Sequence, residues 1–271
     1  MFHRLVILFC GLLCAAGPAN AQGPDFVFAV TEGVTYQATP KEIRDRFAPL
    51  AEVLAKSLHR NVRVVLVPAY DDARAGLARQ DYDLAFVHPA HVAMAEIKAG
   101  RYRAAAWTQG FVEYSVALMM KSDDPLKTMA DLRGRTLVTP DPDSITAVMV
   151  RAMFREQKLT DVKVVTTRYQ DAVPFYIDHG FAQIGATAAK SVVKAWTDKG
   201  GKVLSHSRPV PIKQWLVSTR ISAGDQETIR EALLTMTDTK PGKSALAAIG
   251  YKGFTAPVAD VEASTIAWLG L

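Results

Sequence analysis

The chain has 271 residues, of which 49% are hydrophobic and 22% charged, and its formal net charge is +5 at pH 7. This is the composition of an ordinary globular protein. The positive charges are spread along the sequence instead of forming a basic stripe, so we expect no nucleic acid as a partner, although a mildly basic surface favours capture of small anions.

Residues 1–21 have the features of a secretory signal peptide. A weakly positive start precedes an apolar segment, 5–16, that is too short to span a bilayer as a mature helix, and Ala19-Asn20-Ala21 forms an A-x-A cleavage motif. We therefore expect cleavage before Gln22 and export of the mature protein. An uncleaved membrane anchor is the alternative.

Both cysteines, Cys10 and Cys14, lie within this expected signal peptide. The mature chain would contain no thiol, which excludes disulfides, thiolate metal sites and cysteine catalysis. No later apolar run reaches membrane length, so we expect a soluble mature protein.

The first half of the mature chain alternates strand-like and helix-like segments. Predicted strands lie at 26–30, 62–67, 83–87 and 104–107, and predicted helices at 40–58, 71–79 and 90–99. The first helix has an apolar face at helical spacing, and Pro49 within it should kink it or shift its start. The β-branched run 62–67 is typical of a strand buried on both faces.

A second unit with the same alternation starts near Tyr114. Its predicted strands are 115–120, 136–139, 162–167, 182–186 and 202–205, and its predicted helical segments are 129–132, 144–157, 172–178 and 191–199. A strand at 215–218 and helices after Ser222, at 244–249 and at 261–269, complete the chain.

This alternation predicts an α/β protein with parallel sheets. The expected organisation is a first lobe at 22–111, a second lobe at 112–208 and a return of 209–271 to the first lobe. Two crossings, at 109–113 and 208–214, would act as a hinge and leave a ligand cleft between the lobes.

The segment Thr136 to Gln157, TLVTPDPDSITAVMVRAMFREQ, is the most informative motif. It predicts a strand, a turn and a helix whose first turn contains Ser144, Ile145 and Thr146. Free backbone N–H groups, two hydroxyls and the positive end of the helix dipole would meet there, which suits a small oxyanion. The alternative is that Ser144 and Thr146 only cap the helix.

His88-Pro89-Ala90-His91 lies at a strand end that opens a helix, where ligands often bind in α/β folds. Two histidines three residues apart could share a metal. No carboxylate or third histidine lies nearby in sequence, however, so hydrogen bonding of His88 to a ligand is favoured over metal binding. Simple structural hydrogen bonding is the other alternative.

Three further residues are candidate ligand contacts. Tyr36 and Tyr114 lie at or near strand ends of the two units and could each offer a hydroxyl, or could be half-buried packing. Lys190 opens a helix, where a cation opposes the dipole, but it could equally be solvated. Asp141 and Asp143 argue against an oxyanion unless their carboxylates are engaged elsewhere.

Several motifs of catalysis and cofactor binding are missing. The chain has no G-x-S-x-G, H-E-x-x-H or G-x-G-x-x-G motif. Gly242-Lys243-Ser244 resembles the end of a phosphate-binding P-loop, but position 237, where that loop needs its first glycine, is a threonine. We therefore expect neither an enzyme nor a cofactor. A secreted hydrolase or metal enzyme built on His88 and His91 is the alternative.

Three segments resemble the periplasmic substrate-binding proteins of phosphate, phosphite and phosphonate ABC importers. They are AVTEGVTYQATPKEIRDRFAPLAEVLAKSL, YDDARAGLARQDYDLAFVHPAHVAMA and VEYSVALMMKSDDPLKTMADLRGRTLVTPDPDSITAVMV. The similarity covers almost the whole expected mature chain. It implies a two-lobed, hinge-closing α/β fold, the type 2 periplasmic-binding-protein architecture, in the periplasm.

The resemblance also implies a function. The Ser/Thr-rich helix start, here Ser144 to Thr146, would hold the oxyanion, with Tyr36, His88, Tyr114 and Lys190 around it. Thr187-Ala188-Ala189-Lys190 contains no acidic group, which favours phosphate, phosphite or a small phosphonate over an aminoalkylphosphonate. Another small anionic solute is the alternative ligand. The expected partner is a membrane permease, or alternatively a sensor kinase, and the protein is expected to be a monomer.

Overall fold

The computed structural model describes residues 25–32 and 39–271. The expected signal peptide and Tyr36 lie outside the described residues, and their predictions stay predictions. Over the described residues, no helix combines the length and the apolarity needed to cross a membrane.

The described strands form a first sheet of six strands, in the order β11-β4-β10-β3-β1-β2. Their bounds are β1 Phe26–Thr31, β2 Val62–Leu66, β3 Leu84–Val87, β4 Tyr102–Thr108, β10 Gln214–Ser218 and β11 Phe254–Thr255. Six helices accompany this part of the chain: α1 Pro40–Leu58, α2 Tyr70–Arg79, α3 Ala90–Lys98, α7 Ala223–Leu234, α8 Lys240–Ile249 and α9 Ala259–Leu269. This part includes its own core, which contains Phe28, Phe47, Phe86 and Trp215.

A second sheet of five strands has the order β7-β6-β8-β5-β9. Its strands are β5 Ala117–Met120, β6 Arg135–Thr139, β7 Val162–Thr166, β8 Ile184–Thr187 and β9 Lys202–His206, and its helices are α4 Ile145–Glu156, α5 Val173–Asp178 and α6 Lys190–Asp198. The buried face of α4 packs in a separate core with residues such as Leu118 and Ile184. The fold is therefore the expected α/β arrangement of two lobes.

The expectation of parallel sheets is wrong in part. The strands β2-β1-β3 and β7-β6-β8 are parallel, but β10 runs antiparallel to β3 and β4, and β5 runs antiparallel to β8 and β9. Strands β5 and β10 are those that follow a passage from one sheet to the other. They enter the new sheet from the edge where the two sheets meet, and therefore run against its parallel strands.

The two passages between the sheets are hydrogen-bonded to each other. Tyr114 and Val210 form an isolated antiparallel bridge, and Ile212 N–H donates to the Phe111 carbonyl at 3.0 Å. Two adjacent, short connections of this kind form a hinge. The C-terminal helix α9 packs on both α3 and α4, so it also spans the junction.

Strand β2 differs from the sequence expectation. The β-branched run predicts burial on both faces, but β2 lies at the edge of the first sheet, where Arg63 is exposed and the other four residues are partly buried. Val62, Val64 and Leu66 pack toward the core beside α1. A run of β-branched residues thus reflects strand propensity here, and does not require burial of both faces.

Helix α1 is continuous through Pro49 and begins at Pro40, after a capping box formed by Thr39 and Glu42. The Pro49 ring therefore did not shift the helix start. Pro40 occupies the first turn, where its missing N–H costs no hydrogen bond.

Candidate functional site

The start of α4 is built by its own short-range contacts. Asp141 Oδ1 accepts from the Asp143 N–H at 2.8 Å, and the Ser144 N–H donates to the Asp141 carbonyl at 2.9 Å. Ser144 is the N-cap, and its Oγ accepts from the Ala147 N–H at 3.2 Å. The turn therefore fixes where the helix begins and uses the carboxylate of Asp141.

Two N–H groups stay free at this helix start. Among the described residues, the N–H groups of Ile145 and Thr146 have no hydrogen-bond acceptor. Ser144 uses only a lone pair of its Oγ for the cap, so its hydroxyl proton is still available. The Ile145 side chain packs in the core of the second lobe, so its contribution to a ligand would be its N–H group.

A hydroxyl pair extends the site. The Tyr114 hydroxyl lies 3.2 Å from Thr146 Oγ1, and the Thr146 side chain is buried. Burial raises the pKa of Tyr114, so its phenol keeps its proton at neutral pH. Tyr114 belongs to the hinge, and this contact brings two residues predicted from the sequence together at one place.

Gln170 orients this pair. Its Oε1 accepts from the Ala188 N–H at 2.7 Å and from the Thr187 hydroxyl at 2.9 Å, so its Nε2 is the group that faces the Tyr114 hydroxyl at 3.3 Å. Gln170 therefore donates to Tyr114. Tyr114 and Thr146 use one of their two protons in their mutual bond, and one O–H group is left to donate to a ligand.

The facing edge of the first sheet contains ionisable groups. Thr31, Val87 and Gln214 are register partners, so the neighbouring Glu32, His88 and Lys213 come together at the edge where these strands meet the hinge. This edge is the wall of the cleft opposite the start of α4.

His88 and Lys213 are strongly affected by burial at this edge. Burial and the nearby Lys213 cation lower the pKa of His88 to about 3, so its imidazole is neutral at pH 7. Burial lowers the pKa of Lys213, whose Nζ donates to the Tyr251 hydroxyl at 2.8 Å and lies 4.2 Å from the ring centre of Phe111. Lys213 thus adds a buried basic group near the cleft.

The two lobes touch at the mouth of the site. Arg74 Nη2 on α2 lies 2.5 Å from Asp143 Oδ1, just before α4, and His91 Nε2 on α3 lies 3.5 Å from the same oxygen. The carboxylate of Asp143 is thus paired with a cation from the other lobe. This pairing reduces the repulsion between Asp143 and an oxyanion that the sequence predicts.

The structure brings four of the predicted site residues together and places two others apart from them. Ser144, Ile145, Thr146 and Tyr114 lie together, and His88 is on the opposite wall. Lys190 is exposed in the first turn of α6, with no hydrogen bond or ion pair to the rest of the described chain. Its role in ligand binding stays a prediction.

Sequence reasoning missed Gln170, Arg74 and Lys213. Their contacts join residues that are far apart in the chain, and no local pattern marks them. The sequence contains one signal for Lys213, which is that its neighbours in PVPIKQW are mostly apolar. No group of three His, Cys, Asp or Glu residues within 25–32 and 39–271 is arranged to hold a metal ion.

The sequence matches one protein family over most of its length. The profile described as "ABC transporter, phosphonate, periplasmic substrate-binding protein" matches residues 33–261. No curated protein matches the sequence.

Solved structures share the fold at low sequence identity. The XAC2383 protein of Xanthomonas citri, bound to ATP, has a TM-score of 0.75 and 14% identity, with 90% of this chain and 96% of that chain covered. PhnD1 of Prochlorococcus marinus, in complex with methylphosphonate, has a TM-score of 0.63 and 15% identity, with 89% and 96% covered. The aliphatic sulphonate-binding protein SsuA of Escherichia coli has a TM-score of 0.54 and 16% identity, with 91% of each chain covered.

Proposed function

The chain belongs to the periplasmic substrate-binding proteins of phosphonate ABC transporters, and on that premise we propose that it captures phosphate, phosphite or a small phosphonate at the start of α4. Membership of this family implies a periplasmic location, a small ligand and a membrane permease as partner. We propose in addition that the mature protein follows a cleaved signal peptide, acts as a monomer and catalyses no reaction.

The observation that carries this proposal is the set of donors at one place. The N–H groups of Ile145 and Thr146, the Ser144 hydroxyl and one proton of the Tyr114–Thr146 pair have no acceptor among the described residues. A site that offers donors without an acceptor prefers an oxygen that only accepts, as in an ionised oxyanion. The positive end of the α4 dipole favours the same charge.

The opposite wall would complete the site. His88 and Lys213 lie on the first lobe, so a ligand held by α4 would contact both lobes when the cleft is closed. Hinge closure of this kind follows from a ligand that binds the closed form better than the open form. Tyr36 and Lys190 are further proposed contacts.

The ligands named for the structurally similar proteins support the chemical class. Methylphosphonate, ATP and an aliphatic sulphonate all contain a tetrahedral oxyanion of phosphorus or sulfur. The three proteins share the fold with this chain at low identity, so they do not select one of these ligands. The absence of an acidic residue in 187–190 favours ligands without an ammonium group.

Isothermal titration calorimetry of the purified mature protein tests the proposal. The panel should contain inorganic phosphate, phosphite, methylphosphonate, sulfate, aminoethylphosphonate and ATP. We expect at least one of the first three to bind, and to bind more tightly than aminoethylphosphonate. Absence of binding by all of the first three would contradict the proposal, whichever of the other anions binds.

A further inference from the structure

A carboxylate stands directly beside the proposed oxyanion site. Asp143 immediately precedes the N-cap Ser144, two residues before Ile145 with its free N–H group. An unpaired carboxylate at this position would repel an anion over a few ångströms, and would offset much of the attraction of the helix dipole.

The opposing lobe supplies the partner of this carboxylate. Arg74 Nη2 lies 2.5 Å from Asp143 Oδ1, and Arg74 Nη1 lies 2.9 Å from Asp71 Oδ1 on its own helix. Within the described chain, Arg74 is the only Lys or Arg in ion-pair distance of Asp143. The guanidinium is thus held on α2 in the orientation that meets the start of α4.

His91 contacts the same carboxylate but does not supply charge. Its Nε2 lies 3.5 Å from Asp143 Oδ1 and 3.5 Å from Arg74 Nη2. Burial lowers the pKa of His91 to about 4, so the imidazole is neutral at pH 7. The neutralising charge therefore comes from Arg74.

We infer that Arg74 determines the anion affinity of the site by acting through Asp143, whose negative charge it cancels when the lobes meet. This inference rests on the proposed function. Arg74 and Asp143 are on different lobes, so their contact exists only in the closed form. The closed form then holds an oxyanion beside a neutral pair, and the open form presents it with a bare carboxylate, which couples affinity to closure.

A simple mechanical role for this ion pair makes different predictions. If the pair only fastened the lobes, loss of either partner would weaken ligand binding equally, and the double variant would resemble both single variants. If Arg74 acts by cancelling charge, R74Q weakens binding, D143N does not, and the double variant recovers. The side chains are 37% and 42% exposed, so the pair itself adds little to folding stability.

The test is a double-mutant cycle with inorganic phosphate and methylphosphonate as probes, measured by calorimetry at low and high salt. We expect R74Q to lower the affinity about tenfold at low salt and less at high salt, because added ions screen the repulsion. D143N should bind at least as tightly as the wild type, and R74Q/D143N should return to within about threefold of it.

R79Q is the matched control. Arg79 is on the same helix and pairs with the exposed Asp81, away from α4. It should bind both probes like the wild type. If the wild type binds and R74Q binds equally well, or if the double variant is as weak as R74Q, the inference fails while the proposed function stands. If the wild type binds neither probe nor any other anion of the panel, both fail.

Discussion

The hydroxyl of Thr146 belongs to the hydroxyl pair of the proposed site. It lies 3.2 Å from the Tyr114 hydroxyl, which in turn accepts from Gln170. A hydrogen bond to a charged oxygen contributes about 1.5–3 kcal/mol. We therefore expect T146V, which keeps the shape of the side chain, to weaken binding of methylphosphonate or phosphate at least tenfold.

Calorimetry measures this effect, with T166V as the control. Thr166 is the last residue of β7, in the sheet of the same lobe as Thr146, and it is exposed. T166V should bind as the wild type does. Unchanged affinity in T146V would show that the Thr146 hydroxyl does not contact the ligand.

At the residue scale, the sequence predicted the part of the site that is local. Ser144, Ile145 and Thr146 are neighbours, and their role follows from the capping chemistry of one helix start. Gln170 lies 26 positions after Ser144 and reaches the site through Tyr114 and Thr187. Such contacts depend on how strands order themselves in a sheet, which local patterns do not encode.

At the scale of elements, the cap of α4 combines two roles that can be separated. Ser144 Oγ stabilises the helix by accepting from Ala147, and its proton is available to a ligand. Ser222 caps α7 in the same way, through the Asp225 N–H at 3.0 Å, and α7 packs on α1 and β4 of the first lobe. Loss of either cap should lower the free energy of unfolding by about 1 kcal/mol.

The pair S144A and S222A tests this separation by urea unfolding and calorimetry. We expect similar losses of stability in the two variants, and weaker oxyanion binding in S144A alone. If S144A binds its ligand normally, the hydroxyl serves only as a cap.

Strand β8 ends at Thr187, and α5 begins three residues after Gln170. The two elements pack closely at Gly185 of β8. A Cβ atom built at Gly185 would lie 2.4 Å from Val173 Cγ1 and 2.7 Å from Ile177 Cδ1. G185A should therefore destabilise the protein by about 1–3 kcal/mol through overpacking. Urea unfolding measures the loss.

Gly224 provides the comparison for this substitution. A Cβ atom there meets only Ser222 Oγ, at 3.8 Å, in the first turn of α7. G224A should be neutral or slightly stabilising, because alanine favours a helix. Equal stability of G185A and the wild type would show that α5 moves away from β8 without cost.

The elements themselves were largely predictable, and their arrangement was less so. Alternating patterns placed α1, α3 and β6 close to their observed bounds. The antiparallel entry of β10 and the edge position of β2 were missed, because both depend on the path of the chain between sheets.

At the scale of the whole molecule, two buried histidines link folding to pH. The pKa of His88 is lowered to about 3 and that of His91 to about 4, mainly by burial, whereas both are near 6.5 in an unfolded chain. The unfolded chain therefore binds more protons than the folded one from about pH 6.5 down to about pH 4 at His91 and about pH 3 at His88. The stability that these two groups contribute is fully present above about pH 6.5, and it is lost as the pH falls toward their pKa values in the folded protein.

We expect the free energy of unfolding to fall by about 2 kcal/mol or more between pH 7 and pH 5 through these two groups. Urea unfolding at several pH values measures the slope. The variant H88N/H91N should have a flatter profile over this range, whatever its stability at pH 7. An unchanged slope in that variant would contradict the assignment of neutral, buried imidazoles.

The most direct test of the account is a crystal structure of the protein with methylphosphonate or inorganic phosphate bound. We predict phosphorus oxygens within about 3.2 Å of the N–H groups of Ile145 and Thr146, with the Tyr114 and Thr146 hydroxyls in the same shell. Arg74 and Asp143 should be in contact in that complex. An oxyanion bound elsewhere, with the first N–H groups of α4 directed at other protein atoms, would contradict it.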